Sequence, residues 1–271
     1  ILLMGTTQLI KNFTSTIELY ERENLPKLLE AHNMSPAKFT QIVITEVKKN
    51  KKMQEAFLKN PQSLFASIFH CAELGLNPSE HIGHFYFIPF KGGIKPILGY
   101  KGLVTLILRS GNIKKISCEI VYEGDEFEYE LGLEPKLSHI PNFDSDRNVD
   151  KIRWIYAVAK TIHDEYIFKV MTRKEIMDIA KMGEMRNSLY FNDKKDPQNW
   201  MAKKVVIKQL SKLLPKDYYG QKAVSMDDVV EGGGYITTND LNEVELVEEK
   251  SERPKKAGIY STLLHQENLN S

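Results

Sequence analysis

Cations without nearby acids are the side chains whose type and spacing point to chemistry. Across residues 76–111 the only Lys or Arg residues are Lys91, Lys95, Lys101 and Arg109, and no Asp or Glu follows Lys91 until Glu119. A second group lies in residues 196–215, DPQNWMAKKVVIKQLSKLLP. There Lys204, Lys208 and Lys212 fall at i, i+4 and i+8, Lys203 lies to one side, and no acid interrupts residues 203–216. A solvated helix face normally mixes Glu with Lys at this spacing, so unrelieved lysine predicts contact with phosphate. Arg186, in the polar loop at residues 186–195, and Arg153 and Lys160, in a later strand, extend the candidate set. The four lysines within residues 48–52 read instead as a solvated helix end.

Bond-making chemistry has no comparable constellation. No Gly-Lys dipeptide occurs, which excludes a P-loop nucleotide site, and no G-x-G-x-x-G follows a strand. His70, Cys71, His81 and His84 match no zinc-ligand spacing, and their aromatic neighbours favour packing roles. Asp144, Asp146 and Asp150 share one polar loop rather than framing a two-metal site. No cofactor and no metal are expected, and the chain reads as a binder rather than an enzyme.

The cations need rigid carriers, and the flanking pattern supplies them. The aromatic run at residues 84–90, the Lys91-Gly92-Gly93 turn and the apolar run at residues 94–98 read as a hairpin. After Gly99, the spacing of Leu103, Leu106, Ile107 and Ser110 is helical, and Gly111 suits the left-handed position that closes a helix. Upstream, Ser35-Pro36 and Asn60-Pro61 are helix starts, and Gly75 is a helix end. Downstream come strands at residues 114–123 and 127–131, a short strand containing His139, and a hairpin over residues 151–171. Thr172 and Glu175 form a capping box, and Asp196-Pro197 opens the last core helix, which Pro215 stops. The predicted fold is α+β: antiparallel hairpins or sheet packed on helices, with N-terminal helices and a flexible acidic C-terminal tail. Glu126, Glu128 and Glu130 on outer strand positions argue against nucleic-acid contact at that hairpin. Trp200 and Tyr100 read as packing anchors rather than platforms for bases.

Charge is polarised along the 271 residues. Residues 1–222 hold 33 Lys and Arg against 26 Asp and Glu, whereas residues 223–271 hold 4 against 10. A basic body with an acidic tail suits a polyanion ligand and a separate docking segment. Glu231 and the three glycines after it read as a flexible joint. The expected division is therefore 1–75 helical, 76–222 an α+β core that binds the polyanion, and 223–271 flexible partner docking. Two cysteines in no pattern fit a reducing cytoplasm, and no apolar run reaches the length of a membrane span. Ile1-Leu2-Leu3-Met4 is too short for a signal peptide.

A series of motifs resembles the RecT family of phage single-strand annealing proteins. They are Leu74-Gly75-Leu76-Asn77-Pro78, Phe87-Ile88-Pro89-Phe90, Gly99-Tyr100-Lys101-Gly102, Arg109-Ser110-Gly111, Val121-Tyr122-Glu123-Gly124-Asp125-Glu126-Phe127, Ser138-His139-Ile140-Pro141, Tyr156-Ala157-Val158-Ala159 and residues 200–215. Their order makes the resemblance specific over residues 74–215. One departure is Val205, where many relatives carry Thr after the lysine. The resemblance implies an ATP-independent recombination protein in the cytoplasm of a bacterial host, encoded by a phage or prophage. Its implied partners are single-stranded DNA, the annealed duplex, further copies in a ring or helical filament, a 5′→3′ exonuclease and a host single-strand binding protein. The last two are assigned to the C-terminal segment. A general RNA or DNA chaperone and a metal-dependent nuclease are the alternatives.

Annealing must quiet phosphate repulsion while leaving base edges free to pair, so sandwiching each base between aromatic rings is unsuitable. The expected device is a basic groove that grips backbone and continues along an oligomer. Lys101, Arg109, Arg186, Lys203, Lys204 and Lys208 are its first candidates. Lys91, Lys95, Arg153 and Lys160 are its second.

Overall fold

The computed structural model describes residues 25–182, 190–231, 235–238 and 244–247. A short helical segment at residues 25–30 precedes α1 (Pro36–Lys49), α2 (Lys51–Lys59) and α3 (Pro61–Glu73). Local chemistry sets their starts. Ser35 Oγ accepts the Lys38 amide and Asn60 Oδ1 the Ser63 amide, each just before a proline at the first helical position. Asn50 Oδ1 accepts from the Lys52 and Met53 amides, so the lysine-rich run straddles the junction of α1 and α2. Gly75 closes α3 at a φ of 58°, where a side chain would also overlap the His32 ring.

The predicted hairpin is β1 (Phe85–Phe90) against β2 (Gly93–Leu98), with Phe85 opposite Leu98 and Phe90 opposite Gly93. Helix α4 (Tyr100–Arg109) follows at once. The next five strands are β3 (Ile113–Tyr122), β4 (Glu126–Glu130), β5 (Lys136–Ile140), β6 (Ile152–Thr161) and β7 (Tyr166–Thr172). They form an antiparallel sheet in the order β3-β6-β7 and a separate antiparallel β4–β5 hairpin. Asp125 locks that hairpin to its surroundings. Its carboxylate accepts from the Tyr122 and Asn142 amides at 2.8 and 2.9 Å, from Arg147 at 2.8 Å, and pairs with His139 at 3.1 Å. The capping box opens α5 (Arg173–Met182), with Thr172 donating its amide to Glu175 at 2.7 Å.

Helix α6 (Trp200–Ser211) begins later than Asp196-Pro197 predicts. Asp196 still caps it, accepting from the Trp200 and Met201 amides at 2.9 and 2.8 Å. Helix α7 (Tyr218–Glu231) and the short antiparallel strands β8 (Tyr235–Thr238) and β9 (Val244–Val247) complete the described chain. Ala223, Val224, Met226 and Val230 are buried on α7, so the chain stays packed past the expected detachment at residue 223. Their helical spacing lets one face of α7 bury apolar surface that a tail would leave in water.

The architecture is α+β, as the sequence predicts. Leu64 and Ile68 of α3, Phe85 of β1, Leu103 of α4, Ile155 of β6 and Val206 of α6 lie in one buried cluster. Among the described residues, no helix is long and apolar enough to cross a membrane.

Candidate nucleic-acid interface

The Gly99-Tyr100-Lys101-Gly102 segment is a packing device. A Cβ at Gly99 would overlap the Gly83 carbonyl, and one at Gly102 would overlap the His84 carbonyl. Only glycines let the first turn of α4 lie directly on the chain that enters β1. With Leu103, Leu106 and Ile107 buried on the inner face, Lys101 is exposed and Tyr100 half-buried. His84, beneath this turn, is held below the usual imidazole range by burial, then by Arg109 and Lys101.

Tyr100 meets α6 through Trp200. The two rings stack at 4.5 Å with 8° between their planes, and Lys203 Nζ lies over the Trp200 ring at 4.6 Å. The Tyr100 ring and the Lys203 ammonium thus both pack on Trp200. Trp200 is nevertheless 37% exposed, more than a packing anchor would be. Below the stack opens a cleft of about 530 Å³, bordered by Tyr86, Leu98, Tyr100, Lys101, Trp200 and Lys204 among others. Lys101 and Lys204, 103 positions apart in sequence, thus line the same cavity.

Lys204 and Lys208 differ from the expected exposed stripe. They are 6% and 5% exposed and converge on Asp227 of α7. Lys208 Nζ donates to Asp227 Oδ2 at 2.8 Å and meets Asp228 Oδ1 at 2.9 Å. Lys204 Nζ is 3.3 and 3.4 Å from the two Asp227 oxygens, and the Leu98 amide donates to Oδ1 at 3.2 Å. Lys212 reaches Asp228 at 3.3 Å. Burial opposes ionisation of Asp227, yet Lys204 and Lys208 outweigh it and hold the carboxyl below its usual range. The acids missing from α6 lie on α7. Sequence reasoning missed Asp227 because the acidic composition after residue 222 reads as tail, although the spacing of Ala223, Val224, Asp227 and Val230 marks a helix face.

Arg109 also has structural work. It donates to the Leu74 and Gly75 carbonyls at 2.8 and 3.0 Å, satisfying the open end of α3. Lys91, at a φ of 46° in the hairpin turn, and Lys95 gather around the Phe90 ring at 5.5 and 4.5 Å. Arg153 lies against Trp154 at 5.7 Å, and Lys160 pairs with Asp164 at 2.9 Å. None of these five borders the cleft. Arg186 lies outside the described residues. Of the candidate set, Lys101 and Lys204 border the cleft, Lys203 packs on Trp200 at its rim, and Lys208 joins Lys204 only through Asp227. Among the described residues, no three His, Cys, Asp or Glu side chains are grouped to hold a metal ion.

Comparisons with known proteins match this same region. The RecT family model matches residues 37–243. Protein RecT of Escherichia coli (strain K12) is 36% identical over 217 residues, 76% of either chain. The uncharacterized protein YqaK of Bacillus subtilis (strain 168) is 30% identical over 87 residues, 32% of this chain and 30% of its own. The family match takes in both walls of the cleft and helix α7.

Proposed function

This chain belongs to the RecT family and is a DNA-binding protein of recombination by strand annealing; from that premise we propose that it grips the single-strand backbone at the Lys101–Trp200 cleft. It does so without ATP and without making or breaking a covalent bond. Lys101 and Lys203 supply the outer charge and Lys204 the inner. The stacked Tyr100 and Trp200 brace the rim rather than sandwich bases, because Trp200 already carries the Tyr100 ring and the Lys203 ammonium. Bases then point away from the cleft, where a second strand can pair with them.

What supports this reading above all is the convergence of two distant family motifs, Gly99-Tyr100-Lys101-Gly102 and the start of α6, on one cleft bordered by Lys101 and Lys204, with Glu80 the acid on its wall. Repetition along an oligomer completes it. A protomer whose three lysines neutralise about three phosphates has a log–log salt slope of roughly −2 on single strands, a weak hold at physiological salt. Copies bound side by side on one strand raise effective concentration and make the complex lasting. The acidic residues at 240–252 are assigned to docking an exonuclease or a single-strand binding protein, beyond α7 rather than from residue 223. The setting is homologous recombination of a phage or prophage in a bacterial cytoplasm.

The test is a salt series of oligo-dT binding with an annealing assay lacking nucleotide. Wild type should anneal complementary strands, and Lys101→Ala should bind with a slope shallower by about 0.7. An unchanged slope for Lys101→Ala, or no salt-dependent retention of DNA by wild type, overturns the proposal. Equal-length RNA competing as well as DNA identifies a general chaperone instead.

A further inference from the structure

Asp227 touches both walls of the cleft from beneath. On one side it accepts the amide of Leu98, the residue before the Gly99 turn that sets Lys101. On the other it meets Lys204 and Lys208 on successive turns of α6. Of those two lysines, only Lys204 borders the cleft. Lys208 is the more tightly held, at 2.8 Å from Asp227 and 2.9 Å from Asp228.

A lysine so far withdrawn from water keeps its charge poorly unless a carboxylate stands beside it. An ammonium useful to a phosphate must also stay at one place on the wall. The Asp227 carboxylate does both. Its own position is fixed by the Leu98 amide and by α7, whose Met226 and Val230 pack against Ile97 and Ala66 beside the hairpin.

We propose that Asp227 is a positioning residue of the DNA site: it holds the Lys204 ammonium in place at the cleft wall, making α7 part of the strand-gripping unit. The proposal rests on the backbone-grip function above and adds a residue from a different element. It separates the packed α7 from the acidic segment beyond it, two pieces that composition merges.

The experiment measures binding of full-length protein to fluorescent oligo-dT across a salt series, with folding of each variant checked by circular dichroism. Lys204→Met should lower the salt slope by about 0.7, roughly a fivefold loss of affinity at 0.1 M salt. Asp227→Asn should lose a similar amount, and the double variant no more than either single one, because all three remove one contact. A folded Asp227→Asn protein with the wild-type slope makes Asp227 a structural brace and overturns the proposal. Tighter binding with a steeper slope makes it a shield over Lys204 and overturns it equally. If Asp227→Asn does not fold, Lys204→Met and Lys208→Met decide: loss of slope in the first alone upholds the proposal, and equal slopes overturn it. Failure of the underlying function is distinguishable, because wild type itself would then show no salt-dependent binding.

Discussion

Two buried carboxylates show how this chain spends the same side chain on different tasks. Asp125 is locked by partners three to 22 positions away, two of them backbone amides. Asp227 is met by two lysines 19 and 23 positions away and by an amide 129 positions away. The first network closes on itself and shapes one hairpin. The second joins a strand end, α6 and α7, and one of its lysines faces a cleft. A carboxylate whose partners are close in sequence, two amides, His139 and Arg147, stabilises local shape; one that meets buried ammoniums from another helix also sets the charge of a surface.

The largest expected effect comes from deleting the longer-range network. Asp227→Ala strands two buried ammoniums and should cost about 3–5 kcal/mol in urea unfolding. A loss below about 1 kcal/mol would mean that water replaces the carboxylate, and the contrast with Asp125 would fade. The Asp125 network has its own signature in acid. Backbone amides, His139 and Arg147 outweigh the opposing effect of burial and hold its carboxyl at about 2, below the ordinary 3.8. Its stabilisation is therefore complete above pH 3.8 and is lost as pH falls through about 2. It amounts to roughly 2 kcal/mol. Comparing wild type with Asp125→Asn from pH 5 to pH 2 should show that difference shrinking; a constant gap sinks the assignment.

A smaller contrast lies within α4, whose two cations should fail in different ways. Arg109→Ala loses two charge-assisted bonds to the end of α3 and should cost about 1.5–3 kcal/mol of stability with an unchanged salt slope on DNA. Lys101→Ala should do the reverse. Equal salt slopes for the two variants would erase the distinction between clamp and contact.

Legibility in the sequence follows the range of each interaction. The Ser35, Asn60 and Thr172 caps, the β1–β2 hairpin and the Gly75 and Gly111 helix ends were readable because their partners lie within a few residues. The structural role of Arg109 was not legible because its partners are main-chain carbonyls 34 and 35 positions away, which no side-chain pattern advertises. The burial of Lys204 and Lys208 against Asp227 was hidden for a related reason. Their periodicity correctly marks one helix face, but periodicity cannot tell water from a carboxylate on another helix. Tyr100 and Trp200 were recognised as motif residues, yet their stacking at a cleft rim depends on two glycines that bring α4 close to the β1 entry.

The smallest expected effect tests the acidic side of the molecule. Glu126, Glu128 and Glu130 are exposed on β4, in a hairpin separate from the three-stranded sheet, and none borders the cleft. Exposed charges beyond a Debye length, about 10 Å at 0.1 M salt, are largely screened. Glu126→Ala should therefore bind oligo-dT within about twofold of wild type at that salt, with stability changed by no more than about 0.5 kcal/mol. At lower salt, removing an acid should tighten binding slightly, since the screening length grows while the sign of the repulsion stays the same. A tenfold change at 0.1 M in either direction would bring this hairpin onto the DNA path. The two carboxylate networks would then belong to one interface, Asp125 shaping its acidic edge and Asp227 its basic floor.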